Sequence, residues 1–262
     1  MGSWGVSLGQ GVLQGLTEYL PVSSSGHLAL FQHAFGFQGP ALAFDLVLHV
    51  ATMLATICFF ARDIVGLTGE FASGFISQNG RRSDGWRFGW AVVIGTIVTA
   101  CIGLPLKPVA EAVGDSPRLV GVMLLITAGL TALPMVLSSG RNSLNWKIGL
   151  IVGIAQGIAV LPGISRSGAT IVVALFCGLA KDEAFRFSFL LSLPAILGAA
   201  LLELRDVSLS LLPSGWVLGF AAAFLFGLFS LAVVRRLVTS EKWIGFSLYC
   251  LIIGVTAIVW PW

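Results

Sequence analysis

A chain of 262 residues with 56% hydrophobic and only 10% charged side chains is too apolar for a soluble domain, where about 25% charge is usual. Its net charge of +3 is scattered between apolar segments rather than gathered in a basic patch, which argues against a nucleic-acid partner. Four cysteines lie far apart in apolar runs (Cys58, Cys101, Cys177 and Cys250) and suggest neither a disulfide framework nor a zinc site, so the reading that remains is an integral membrane protein.

The first apolar region, residues 4–35, has no Lys or Arg before Arg62 and carries Glu18, so it does not read as a cleavable export signal. It is broken by QGLTEYLPVSSSGHL (14–28), which sets a carboxylate, a proline, three serines and a histidine within an apolar stretch. A second region, 144–180, is broken in the same way by LPGISRSGAT (161–170). The halves of both regions run about 12–17 residues, or roughly 18–26 Å as helix, short of the ~30 Å hydrocarbon core. Both regions are therefore expected to form re-entrant hairpins, because irregular backbone at membrane depth must line a polar cavity or be buried in protein.

Six further segments are long and apolar enough to span: 43–61, 87–105, 118–137, 184–204, 214–234 and 243–260. Shifting the chain by 142 residues superposes Gly11, Gln14, Gly15, Ser23, Ser25 and Gly26 on Gly153, Gln156, Gly157, Ser165, Ser167 and Gly168. The expected fold is thus an all-α polytopic membrane protein with an inverted-topology repeat in one membrane domain. Residues 1–137 make the first half and 144–262 the second, each a hairpin followed by three spans. Threaded this way, eleven basic residues (Arg62, Arg81, Arg82, Arg87, Arg141, Lys147, Lys181, Arg186, Arg235, Arg236 and Lys242) fall on one side. Three (Lys107, Arg118 and Arg205) fall on the other. The crowded side is expected to be cytoplasmic, so the first hairpin enters from outside and the tips meet near mid-membrane.

The tips are chemically complementary. Arginine at membrane depth by default marks a site with an anionic partner, and Arg166 can hold phosphate in a bidentate fork. Gly163 and Gly168 flank it, and Ser165, Ser167 and Thr170 add hydroxyls. In the first tip, Ser24 stands three residues before His27, the raw material of an activated nucleophile, with Ser23 more suited to structure or phosphate binding. Gln14 and Glu18 share a helix face, where a carboxylate would hold a divalent metal or orient His27. Plainer interpretations exist: serines bonded back to carbonyls, Arg166 simply neutralising Glu18, His33 at the membrane interface, Asp45 as a cap instead of an extra metal ligand, and His49 either satisfied in the bundle or behind the site.

QGLTEYLPVSSSGHL and LPGISRSGAT resemble the two signature motifs of the undecaprenyl-diphosphate phosphatases of the bacitracin-resistance type. FDLVLHVATML (44–54) and RFSFLLSLPAILGA (186–199) extend the likeness along the chain. The resemblance implies removal of one phosphate from undecaprenyl diphosphate on the outer face of the bacterial cytoplasmic membrane. This recycles the carrier lipid for peptidoglycan and other envelope polymers and confers bacitracin resistance. It carries catalytic roles onto Ser24, His27 and Glu18, and substrate binding onto Arg166, Ser165, Ser167, Thr170, Ser23 and Gly168. A divalent cation, Mg²⁺ or Ca²⁺, is implied at Glu18 and Gln14. The latter position is often glutamate in the family, and Gln14 weakens any arrangement that needs two carboxylate ligands. Attack by Ser24, by His27 or by metal-bound water all remain open at this point. The implied partners are a polyprenyl diphosphate and membrane lipids, and exposed apolar spans leave room for a homodimer. The competing function is a secondary transporter or lipid flippase, whose design also uses inverted repeats with broken helices.

Overall fold

The computed structural model describes residues 3–35, 41–135, 140, 142–204, 212–240 and 243–262. Among these all the regular structure is helical. The α-helices are α1 (Ser3–Thr17), α2 (Ser24–Ala34), α3 (Ala41–Phe59), α4 (Ala61–Ile76), α5 (Asp84–Gly114), α6 (Pro117–Ala132), α7 (Trp146–Ile158), α8 (Arg166–Phe176), α9 (Lys181–Glu203), α10 (Trp216–Thr239) and α11 (Ile244–Val259).

Both broken regions fold as pairs of short helices. α1 and α2 have 15 and 11 residues, α7 and α8 have 13 and 11, and non-helical chain lies between the members of each pair. The breaks have local causes. Ser23 and Ser165 cap the second helix of each pair by accepting the N–H groups of Gly26 and Gly168. Pro21 and Pro162 stand within the breaks, where a helix would need the N–H that proline lacks.

The expected spans all correspond to helices, but their lengths differ. α5, α9 and α10 are long and apolar enough to cross a membrane alone, and α3 runs into α4 across a bend of 74°. α6 and α11 have 16 residues each. Two features were not legible in advance. α5 continues to Gly114 through Pro105 and Pro108, well beyond the expected end at 105. α4 adds a helix whose Val65, Phe75 and Ile76 are exposed.

Small residues let the backbones approach. A Cβ on Gly11 of α1 would run into the carbonyl oxygen of Gly219 on α10, and one on Gly149 of α7 would meet Ala91 of α5 in the same way. Close approach through small residues is the main packing device available where lipid removes the hydrophobic drive between helices. The largest buried cluster gathers Tyr19, Phe60, Phe88, Phe185, Phe187, Phe189, Leu191 and Trp243 around α9.

Candidate active site

The two breaks lock together through polar groups. Ser23 is the one non-glycine described residue with positive φ, at 70°. That backbone turns its Oγ to accept the Gly163 N–H at 3.0 Å, in the other break, as well as its own Gly26 N–H at 3.3 Å. In return the Ser167 hydroxyl donates to the Leu20 carbonyl at 3.3 Å. Thr127 of α6 clasps the second break from behind, donating to the Gly163 carbonyl at 2.7 Å and accepting from the Ser165 N–H at 2.9 Å. Gly163 itself has φ of 100°, a conformation that favours glycine.

Glu18 sits at the centre of this junction, 7% exposed. It follows the last turn of α1, which places it over Gln14. The Gln14 amide donates to its Oε2 at 3.0 Å. The Ser24 hydroxyl donates to the same oxygen at 2.6 Å. The Arg166 guanidinium grips Oε1 through Nη2. Its other terminal nitrogen, Nη1, is buried without a protein partner. Because α2 begins at Ser24 and α8 at Arg166, the positive ends of two helices stand beside this carboxylate. His49 of α3 approaches from the remaining side, its Nε2 at 3.9 Å from Glu18 Oε2. Its Nδ1 lies 2.8 Å from the Asp45 carbonyl, which can only accept, so Nδ1 is the donor of that bond.

Glu18, Ser24, Arg166 and Gln14 are thus assembled as one unit. The expected pairing of Ser24 with His27 is not formed. His27 is buried, its Nδ1 donating to the Ser23 carbonyl and its Nε2 lying 2.8 Å from the Tyr249 hydroxyl of α11. Both ring nitrogens are occupied, while Ser24 turns to Glu18. The expected N–H cradle is also differently made. The Gly163 and Gly168 N–H groups are taken by Ser23 and Ser165. Thr170 bonds back to the Arg166 carbonyl and to Ser188 rather than facing the cluster. The donors left for an anion are Arg166 and the first-turn N–H groups of α2 and α8, which lack intrahelical acceptors.

Sequence reasoning left His49 undecided and missed Tyr249 and Tyr19, although a signal existed. The chain has two tyrosines, and both stand at this junction: Tyr249 on His27, and Tyr19 hydrogen-bonded to the Thr52 carbonyl and Thr56. Asp45 and Gln32 pair with each other at 3.0–3.1 Å. His33 is exposed and donates to the Ala29 carbonyl.

The implied divalent cation would fall to Glu18 and Gln14. Glu18 is the carboxylate at the junction, and both its oxygens are engaged by Arg166, Ser24 and Gln14. Gln14 Oε1 is buried and unpartnered, but no three His, Cys, Asp or Glu side chains gather around a common point among the described residues. This set does not fit a protein cage for Mg²⁺ or Ca²⁺, which needs several oxygen ligands.

A family model described as bacitracin resistance protein BacA matches residues 7–256. The chain belongs to the BacA family. Relatives named undecaprenyl-diphosphatase support this along nearly the whole length. The protein from Desulfosudis oleivorans is 42% identical over 93% of both chains, and that from Methanosphaera stadtmanae is 38% identical over 95% of both. One from Korarchaeum cryptofilum is 40% identical over 94% of both. The family's model covers both breaks, so the Glu18 junction lies inside the shared region.

Proposed function

We propose that this protein is a membrane phosphohydrolase that removes the terminal phosphate of undecaprenyl diphosphate, yielding undecaprenyl phosphate and inorganic phosphate. The observation that carries the proposal is the Glu18 carboxylate holding Arg166 and the Ser24 hydroxyl at once. An anionic diphosphate competes with Glu18 for the guanidinium. When Arg166 turns to the substrate, Glu18 loses its counter-charge and becomes a stronger base beside Ser24. Glu18 then takes the Ser24 proton as Oγ attacks the terminal phosphorus. The Oγ–P bond forms and the bridging P–O bond breaks, and undecaprenyl phosphate leaves as an anion that needs no protonation. A water next attacks the phosphoserine and releases one proton to solvent; the Oγ–P bond breaks, Glu18 returns its proton to Ser24 Oγ, and inorganic phosphate leaves. His27, held by Ser23 and Tyr249, positions the start of α2.

Placement in the bacterial cytoplasmic membrane, with the site opening outward, belongs to the same proposal and is supported by the eleven-to-three distribution of basic residues. So does the inverted repeat: α1 of one half packs on α10 of the other, and α7 packs on α5. Release of inorganic phosphate from undecaprenyl diphosphate by the purified protein tests the activity. Counterflow of lipid in liposomes without phosphate release would favour the transporter reading instead.

A further inference from the structure

The face of α1 that ends at Glu18 carries a row of amides. Gln10, Gln14 and Glu18 follow one another at helical spacing. The Glu18 N–H still bonds the Gln14 carbonyl at 2.9 Å, so the turn carries through and the three side chains are neighbours. Gln10 is 1% exposed, and neither its Nε2 nor its Oε1 has a hydrogen-bond partner among the described residues. Gln14 is buried too. Its Nε2 is spent on the Glu18 carboxylate, which fixes the amide's orientation and leaves Oε1 buried without a protein partner. On either side of Gln10 the helix is closely packed, with Gly9 facing the Phe31 ring of α2 and Gly11 the Gly219 backbone of α10. Under the 142-residue shift the same row in the other half reads Val152, Gln156 and Val160. Val152 is fully buried, so this place on the helix packs well without an amide. The second amide occurs only in the half that holds the carboxylate.

A buried amide open at both ends is unfavourable unless a small ligand completes it. The open set is the Nε2 donor of Gln10 and the Oε1 acceptors of Gln10 and Gln14. A phosphate ion only accepts and would face two carbonyl oxygens. A metal ion would leave Nε2 unmet. Water both donates and accepts, and it matches the set. We propose that Gln10 and Gln14 hold the water that hydrolyses the phosphoserine. It accepts from Gln10 Nε2 and donates to Gln14 Oε1, one helical turn, about 5.4 Å, before Glu18. At that distance it does not compete with the diphosphate for Ser24, yet it is at hand once the phosphoserine has formed. Its oxygen then bonds to phosphorus and the Oγ–P bond breaks. One of its protons passes to solvent toward the Ser3 end of α1, and Glu18 returns its own proton to Ser24 Oγ.

This inference rests on the phosphoserine route above, and rapid acid quench separates the two. The protein is mixed with undecaprenyl diphosphate labelled in its terminal phosphate and then chased with unlabelled substrate. Gln10→Met keeps the length and bulk of the side chain and removes both polar atoms. It should acquire label at the parent rate and lose it about tenfold more slowly, the weight of a single hydrogen bond to the water. Gln156→Met, the control in the other half, should gain and lose label at the parent rates. A structure of the unmodified protein that resolves ordered water should show one within hydrogen-bond distance of both Gln10 and Gln14. Label lost from Gln10→Met at the parent rate would overturn the inference and leave the phosphoserine route intact. So would equal slowing in Gln156→Met, or the two amides in direct contact with no water between them. A parent protein that takes no label on serine would overturn the route itself, and the inference with it.

Discussion

Glu18 restrains two partners, so removing its charge frees Arg166 and deprives Ser24 of its acceptor together. Glu18→Gln is expected to lower phosphate release about 10²–10⁴-fold, the usual worth of a positioned general base, with substrate still bound by the liberated Arg166. A kcat loss without a KM increase checks this. Arg166→Lys keeps the charge but not the fork and should cost about 10–100-fold, since charge-assisted hydrogen bonds contribute ~1.5–3 kcal/mol each. Tyr249→Phe leaves the buried His27 Nε2 without its donor. That change should lower stability by about 1–3 kcal/mol in a thermal unfolding assay, with a smaller loss of turnover than Glu18→Gln. The candidates at this scale were largely legible: Glu18, Ser24 and Arg166 announce themselves as polar groups in apolar surroundings. Their partners were not. Ser24 and His27 have the spacing of helix neighbours, yet Ser24 is the first residue of α2 and turns back to a carboxylate six positions earlier. Tyr249 reaches the site from 222 residues away, a distance that no local pattern reports.

The elements owe their arrangement to what interrupts and what narrows them. The two breaks were readable because proline, glycine and serine stop an apolar helix short of spanning length, and capping by Ser23 and Ser165 follows from their residue type. The interdigitation of the breaks was not readable, because it depends on the positive φ of Ser23 and on Thr127, which arrives from α6. Gly163→Ala should be costly on two counts: its φ of 100° disfavours any side chain, and the new methyl would lie 2.6 Å from the Val120 carbonyl oxygen. Loss of about 1–3 kcal/mol from the backbone alone is expected in thermal unfolding, and the steric term adds to it. The bend between α3 and α4 escaped the sequence because Phe60 and Ala61 carry no proline or glycine to mark it.

For the whole molecule, hydropathy and charge give the number of apolar segments and the side on which basic residues gather. Two of these basic residues are ion-paired, Arg186 with Asp63 and Arg235 with Asp182. A cysteine placed at Ser83 should react with membrane-impermeant reagents only from the cytoplasmic side, and one at Asp115 only from outside. The reverse pattern would invert the orientation and close the Glu18 junction to an outer-leaflet substrate. The central claim is that this junction makes Ser24 a nucleophile toward phosphorus, and rapid acid quench with undecaprenyl diphosphate labelled in its terminal phosphate tests it most directly. The account predicts an acid-stable phosphoserine on the peptide containing Ser24, absent in Ser24→Ala. Turnover that continues in Ser24→Ala, or an acid-labile label on His27 in its place, would contradict it.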